Sequence, residues 1–150
     1  MRASIALLAA VLLAGCSGGS GEPEVRLTAA EWARQADRVC AEFENRLARL
    51  PEPENLEGLA RMAAEAEPIA EEGLDALRGL DPPAELEERV EAWLARNAEN
   101  VRAIGELREA AEAGDATSVR QLASAATDNE AEADRMAAGL GLDECAASDR

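Results

Sequence analysis

The sequence predicts an all-α protein folded as an up-down-up-down four-helix bundle. Apolar residues recur every three or four positions along most of the chain, which indicates amphipathic helices. The composition, with abundant Ala and Leu but one Phe, two Trp and no Tyr, favours helix over strand. The connections between the periodic segments are short, so consecutive helices are expected to run antiparallel. The length of 150 residues fits one such domain.

Residues 1–15 have the features of an export signal. A positively charged start precedes an apolar run over 5–13, and this run is far shorter than the roughly 20 residues that cross a bilayer. The small residues that follow it fit a cleavage site. The segment therefore predicts a secreted or envelope protein rather than a membrane-spanning one.

The sequence LAGC at 13–16 resembles the lipobox of bacterial lipoproteins. This resemblance implies that the signal is cut before Cys16 and that its thiol carries diacylglycerol. Two acyl chains anchor a protein stably where one is marginal. Residues 16–27, which include SGGSG, are then a flexible tether, and 28–150 form the helical domain. A cleaved signal without lipid is the alternative. The implied location is the extracytoplasmic side of the cell membrane.

Two further cysteines, Cys40 and Cys145, remain once Cys16 is lipidated. A pair of cysteines in an exported protein indicates a disulfide. Cys40 falls on the apolar stripe of the first helix, so the bond is expected to tie that helix to the C-terminal tail. A catalytic thiol is the alternative, but the chain has no His to activate it.

The first two helices have clear boundaries in the sequence. The first is predicted to begin at Thr28, where Glu31 completes a capping box, and to end at PEPEN, residues 51–55. The second covers 55–79. Pro68 lies inside it and lacks a backbone donor, which predicts a kink or a break.

The third helix is predicted over 82–113, with Asp81 as its N-cap and the following proline at its first position. The fourth is predicted to start after Asp115, or after Thr117 as the alternative N-cap, and to end at the glycines of 139–141. The bundle is thus complete before the tail that holds the last cysteine.

A second resemblance covers most of the helical domain. The segments ADRVCAEF (36–43), LDPP (80–83), EAGDATSVRQLA (112–123) and LGLDEC (140–145) resemble small exported helical proteins of high-GC Gram-positive bacteria. All fifteen basic residues are Arg, which is compatible with a GC-rich genome. The resemblance implies a fold and a location but no activity.

Composition and motifs exclude several functions. The net charge of −16 opposes nucleic-acid binding. The chain has no His, no Lys, no nucleophile-elbow motif and no phosphate-binding loop, so it is predicted not to be an enzyme. No metal or other cofactor is expected, because haem motifs and ligand clusters are absent. The acidic run at 127–134 lacks the glycine of a calcium loop and is expected to be a solvated face.

One polar residue interrupts the apolar stripe of the third helix. Asn97 lies between Trp93 and Val101, and Asn129 and Glu130 occupy a similar gap in the fourth helix. A buried Asn that fixes helix register is one interpretation. The other is a small-ligand pocket beside Trp93, with Trp93 and Asn97 as its candidate residues.

Two functions remain open from the sequence. The first is a non-enzymatic interaction or structural module of the cell envelope, held to the membrane by its lipid and facing an envelope protein with a basic surface. The alternative is a binding protein for a small ligand or cation. A ligand-binding protein requires an apolar cavity near Trp93, whereas an interaction module requires an exposed apolar patch of several hundred Å².

Overall fold

The computed structural model describes residues 27–146 of the chain, and these form four α-helices and no strand. The helices are α1 (Ala29–Leu47), α2 (Leu56–Arg78), α3 (Glu87–Glu112) and α4 (Ala116–Leu140). They pack against one another as an up-down-up-down bundle, which confirms the predicted fold class. The predicted signal 1–15, Cys16 and nearly all of the tether lie outside the described residues.

Side chains at the helix starts explain where three of the helices begin. Thr28 and Glu31 form the predicted capping box of α1. Asn55 accepts a hydrogen bond from the Gly58 amide at 2.8 Å and caps α2. Asp115 accepts from the amides of Thr117 and Ser118, both at 3.0 Å, so it is the N-cap of α4.

The predicted start of α3 at residue 82 is wrong, since the helix begins at Glu87. Pro82 is followed by Pro83, and a residue before proline is disfavoured in the helical conformation. The chain therefore stays non-helical through Pro83. A turn follows, in which the Leu86 amide donates to the Pro83 carbonyl at 2.9 Å, and α3 starts from it without a side-chain cap.

Pro68 lies within α2 and does not break it, because the helix is continuous from Leu56 to Arg78. Its ring is on the exposed side of the helix. The neighbouring Glu67 accepts a hydrogen bond from Arg108 Nε of α3 at 3.1 Å. This ion pair joins α2 to α3 beside the proline.

The main cluster of buried residues lies at the end of the bundle that holds both tryptophans. Trp32 of α1 is fully buried and Trp93 of α3 is 2% exposed. Their rings meet edge to face, with centroids 6.5 Å apart and planes at 84°, an arrangement that aromatic pairs favour. The other buried residues of this core cluster are Ala36, Leu77, Val90, Ala137, Leu140 and Leu142.

The C-terminal segment returns from α4 to α1. Gly141 ends α4 with a φ of 77°, a left-handed conformation that favours glycine. The Asp37 carboxylate then accepts hydrogen bonds from the backbone amides of Asp143, Glu144 and Cys145 at 3.3, 2.9 and 3.3 Å. These contacts hold the tail against α1.

Cys40 and Cys145 form a disulfide, as the sequence predicted, with Cα atoms 5.2 Å apart. The bond joins α1 to the tail that follows α4. The most extensive helix packing is that of α2 on α3 and of α3 on α4, with less between α1 and α2. Direct packing of α1 on α4 is slight, so the bundle is loosest on the side between them.

A central cavity in the bundle

A cavity of about 340 Å³ lies among the four helices and is the candidate functional site. We refer to it as the central cavity. Most of its lining is apolar, and the larger apolar side chains are Val39, Phe43, Leu47, Leu74, Leu77, Trp93, Val101, Ile104, Leu107 and Leu122. Glu44 and Glu130, which also line it, are exposed, so the cavity reaches solvent.

Small side chains account for the space. Ala70 of α2, Ala103 of α3, and Ala126 and Ala133 of α4 line the cavity. A methyl group fills much less volume than the larger apolar side chains of the lining, and space is left where the surrounding helices do not close around it. The two large tryptophans pack at one end of the bundle, and no equally large residue among those described fills its middle.

Phe43 forms part of the wall contributed by α1. Its ring lies against Gly73 of α2, where the absence of a side chain lets the two helices approach. The Arg46 guanidinium lies 4.8 Å from the ring centroid of Phe43 and also binds Glu72 of α2 at 2.7 Å. The hydrogen bond from Arg46 to Glu72 raises the pKa of the arginine. These contacts hold the ring in place.

The two residues that the sequence nominated, Trp93 and Asn97, both line the central cavity. The Asn97 side-chain amide donates to the Trp93 carbonyl at 3.0 Å, one turn earlier in α3. The Oδ1 atom of Asn97 accepts no hydrogen bond from the residues that the structure describes. The cavity wall therefore contains an acceptor that a ligand donor can use.

Asn129 of α4 does not pair with Asn97, although the sequence placed both in comparable gaps. Its Oδ1 accepts from Arg96 Nη1 at 2.6 Å, and its Nδ2 donates to the Arg96 carbonyl at 3.3 Å and to Asn100 Oδ1. This network fixes the register of α3 against α4. On α3 the network is formed by Arg96 and Asn100. Asn97 takes no part in it and lines the central cavity instead.

Three carboxylates complete the lining, namely Glu44 of α1 and Glu130 and Asp134 of α4. No basic residue is among the described residues that line the cavity. Glu130 is exposed, as expected for the acidic run 127–134, and Asp134 is half-buried. The sequence had placed Glu130 in the polar gap of the fourth helix but had not assigned Glu44 or Asp134 to a pocket. The four-residue spacing of Ala126, Glu130 and Asp134 was the available signal.

The disulfide is part of the same wall, since both Cys40 and Cys145 line the cavity. The cross-link therefore lies where α1 and the C-terminal tail meet the central cavity.

Within residues 27–146, no group of three or more His, Cys, Asp or Glu side chains is arranged to hold a metal ion. No helix in this range is long and apolar enough to cross a membrane.

No protein-family model, curated protein or solved structure matches this chain. The candidate site is therefore described by its geometry alone. It is an apolar cavity of small-molecule size, with the Asn97 Oδ1 atom as an acceptor and with carboxylates at its border.

Proposed function

We propose that this protein is a lipid-anchored, extracytoplasmic binding protein that takes up a small molecule with an apolar body in its central cavity. The observation that supports this proposal is the cavity of about 340 Å³ that Trp93 and Asn97 line. Sites for small molecules typically have volumes of roughly 300–1,000 Å³, apolar walls and a few polar groups. The central cavity has this size and this composition.

The energetics of burial favour an occupant. Removing apolar surface from water stabilises by about 25 cal/mol for each Å². The apolar wall of an empty cavity that contacts water lacks this stabilisation. An apolar ligand of matching size recovers part of this free energy when it covers Phe43, Ile104 and Leu122. The disulfide and the tryptophan pair hold the walls before the ligand arrives, which lowers the entropic cost of binding.

The envelope interaction module stays a prediction from the sequence. It needs a contiguous exposed apolar face and a basic partner surface. The ligand-binding role has a specific structural observation in its favour, the cavity where the sequence nominated Trp93 and Asn97. We therefore give it precedence.

Filling the cavity tests the proposal directly. The full chain in lipid nanodiscs is titrated with phenylbutanol, a neutral apolar probe, by calorimetry and by tryptophan fluorescence. Binding is expected, with emission changes from Trp93. The Ala126→Leu variant places extra methyl groups in the cavity, and its affinity is expected to fall about tenfold or more, equivalent to about 1.4 kcal/mol.

The matched control is Ala125→Leu, the same substitution at the adjacent exposed position of α4. It is expected to bind the probe like the wild type. If wild type binds no probe, or if both variants bind as wild type does, the cavity is not the binding site.

The lipid anchor requires its own experiment, because it depends on the motif at Cys16. Bacterial cells that express the full chain are grown with labelled palmitate. Label is expected in the membrane-associated wild type and absent from Cys16→Ser. A wild-type chain without label, or a variant that keeps it, contradicts the anchor.

A further inference from the structure

We infer that the ligand of the central cavity is a cationic amphiphile, an amine or ammonium group attached to an apolar body. This inference rests on the proposed function and specifies its ligand class. The apolar body fits the space between Phe43 and Ile104, and the positive charge belongs at the acidic border. Three features of the site lead to this assignment.

The first feature is the sign of the charge in the lining. Glu44, Glu130 and Asp134 contribute carboxylates, and none of the described lining residues is basic. A carboxylate accepts several hydrogen bonds at once, so it can bind an ammonium group in addition to other partners. An anionic ligand would meet like charges in a partly apolar space, where screening by water is reduced.

The second feature is the position of the carboxylates. Glu44 is on α1 and Glu130 on α4, the two helices between which the bundle is loosest. Both residues are exposed, whereas the apolar wall lies deeper. A molecule that enters from this side therefore buries its apolar part and leaves its charged group near solvent and the carboxylates.

The third feature is the open acceptor of Asn97. Its Oδ1 accepts no hydrogen bond from described residues, and ammonium groups carry donors and no acceptor. Asn129 contacts Arg96 and Asn100, so Glu130, the next residue, lies at the level of Asn97 in the antiparallel pair. Asn97 and Glu130 both line the central cavity, so its lining offers an N–H donor a neutral and a charged acceptor.

The net charge of the whole chain acts in the same direction. At −16, the protein attracts cations from a distance and raises their concentration at its surface. This long-range effect is not specific to the cavity. The experiment must therefore separate the charge of the cavity lining from the charge of the surface.

A matched set of probes makes that separation possible. Phenylbutylamine, phenylbutanol and phenylbutyrate share one apolar body and differ in charge. Each is titrated into the full chain in nanodiscs. The amine is expected to bind about tenfold more tightly than the alcohol, and the carboxylate about tenfold more weakly.

Two double variants test whether the preference for the amine depends on the carboxylates of the lining. Glu44→Gln/Glu130→Gln removes two carboxylates of the lining, and Glu42→Gln/Asp128→Asn removes two exposed ones from the same helices. The net charge changes equally in both. The first variant is expected to bind amine and alcohol with equal affinity, while the second keeps the preference for the amine.

The outcomes distinguish the two proposals. If the alcohol binds and the amine binds no better, the assignment of a cationic ligand is wrong while the cavity remains a binding site. If both double variants lose the preference alike, the effect is that of net charge and the assignment again fails. If no probe binds, the proposed function fails together with the inference.

Discussion

A Cβ atom on Gly73 would lie 2.9 Å from the Cγ atom of Phe43, closer than such carbon atoms approach one another in folded proteins. The ring of Phe43 thus occupies the space that a side chain at position 73 would need. This contact sets the separation of α1 and α2 and the position of one wall of the central cavity.

The variant Gly73→Ala is expected to destabilise the protein despite the better helix propensity of alanine. The propensity gain is about 1 kcal/mol, whereas overpacking a tight contact costs about 1–3 kcal/mol. Chemical denaturation measures the difference. Gly58→Ala is the control, because its Cβ would make only ordinary contacts, the nearest at 3.5 Å.

Shortening the ring side chain provides a second check on the same contact. In Phe43→Ala, the Cγ and Cδ1 atoms that would crowd the added methyl of Gly73→Ala are removed. The two substitutions are therefore expected to be non-additive, with Gly73→Ala costing less when Phe43→Ala is already present. Additive effects would mean that Phe43 is not what opposes a side chain at 73.

Loss of the disulfide is expected to lower the free energy of unfolding substantially. The bond closes a loop of 105 residues, and the chain-entropy treatment gives about 4–5 kcal/mol for a loop of this size. Denaturation of the double variant Cys40→Ser/Cys145→Ser measures it. Since both residues line the cavity, probe binding is expected to weaken as well. A variant as stable as wild type would contradict this.

Asp37 is expected to stabilise the tail independently of the disulfide. It accepts backbone hydrogen bonds from three consecutive residues, with the shortest, to Glu144, at 2.9 Å. Asp37→Ala removes an acceptor shared by all of them, and a cost of about 1.5–3 kcal/mol is expected for bonds to a charged group. Hydrogen exchange of these amides should accelerate, while that of α2 amides should not.

The cap of α4 predicts a dependence of stability on pH. Hydrogen bonds from Ser118, and then from Thr117, hold the pKa of Asp115 below its ordinary 3.8. A lowered folded-state pKa contributes stability above the unfolded-state value and loses it as the pH falls through the folded-state value. Asp115→Ala is therefore expected to destabilise at neutral pH and to differ less from wild type well below pH 3.8.

Asp128→Ala is the control for that measurement, because Asp128 is exposed in the same helix and caps nothing. Its effect separates the removal of a carboxylate from the loss of the cap. If Asp115→Ala differs from wild type equally at both pH values, ionisation of the cap does not contribute to stability.

Local patterns were sufficient for much of the fold. The capping box at Thr28, the cap at Asp115 and the disulfide between Cys40 and Cys145 each follow from residue types at short range or from a simple pairing rule. The start of α3 did not follow, because the effect of Pro83 on Pro82 outweighed the favourable cap at Asp81. Pro68 was also ambiguous, since only packing decides whether a helix continues past a proline.

The candidate site was predictable only in part. Trp93 and Asn97 were nominated because a polar residue interrupted an apolar stripe beside a large aromatic one. Glu44 was not nominated as a site residue, because a charged residue near the end of a helix is ordinarily exposed to solvent. Alanine-rich helices leave their rotation about the axis poorly determined, since a methyl group is tolerated on either face.

The sequence by itself determined the helical content, the order of the helices and the pairing of Cys40 with Cys145, because these depend on periodicity, capping and cysteine number. Only the tertiary structure decided that the bundle contains a cavity and that Glu44 and Glu130 border it. The physical reason is that a cavity is a property of several helices at once. It arises where facing residues are jointly too small to fill the space, and no single helix encodes that sum.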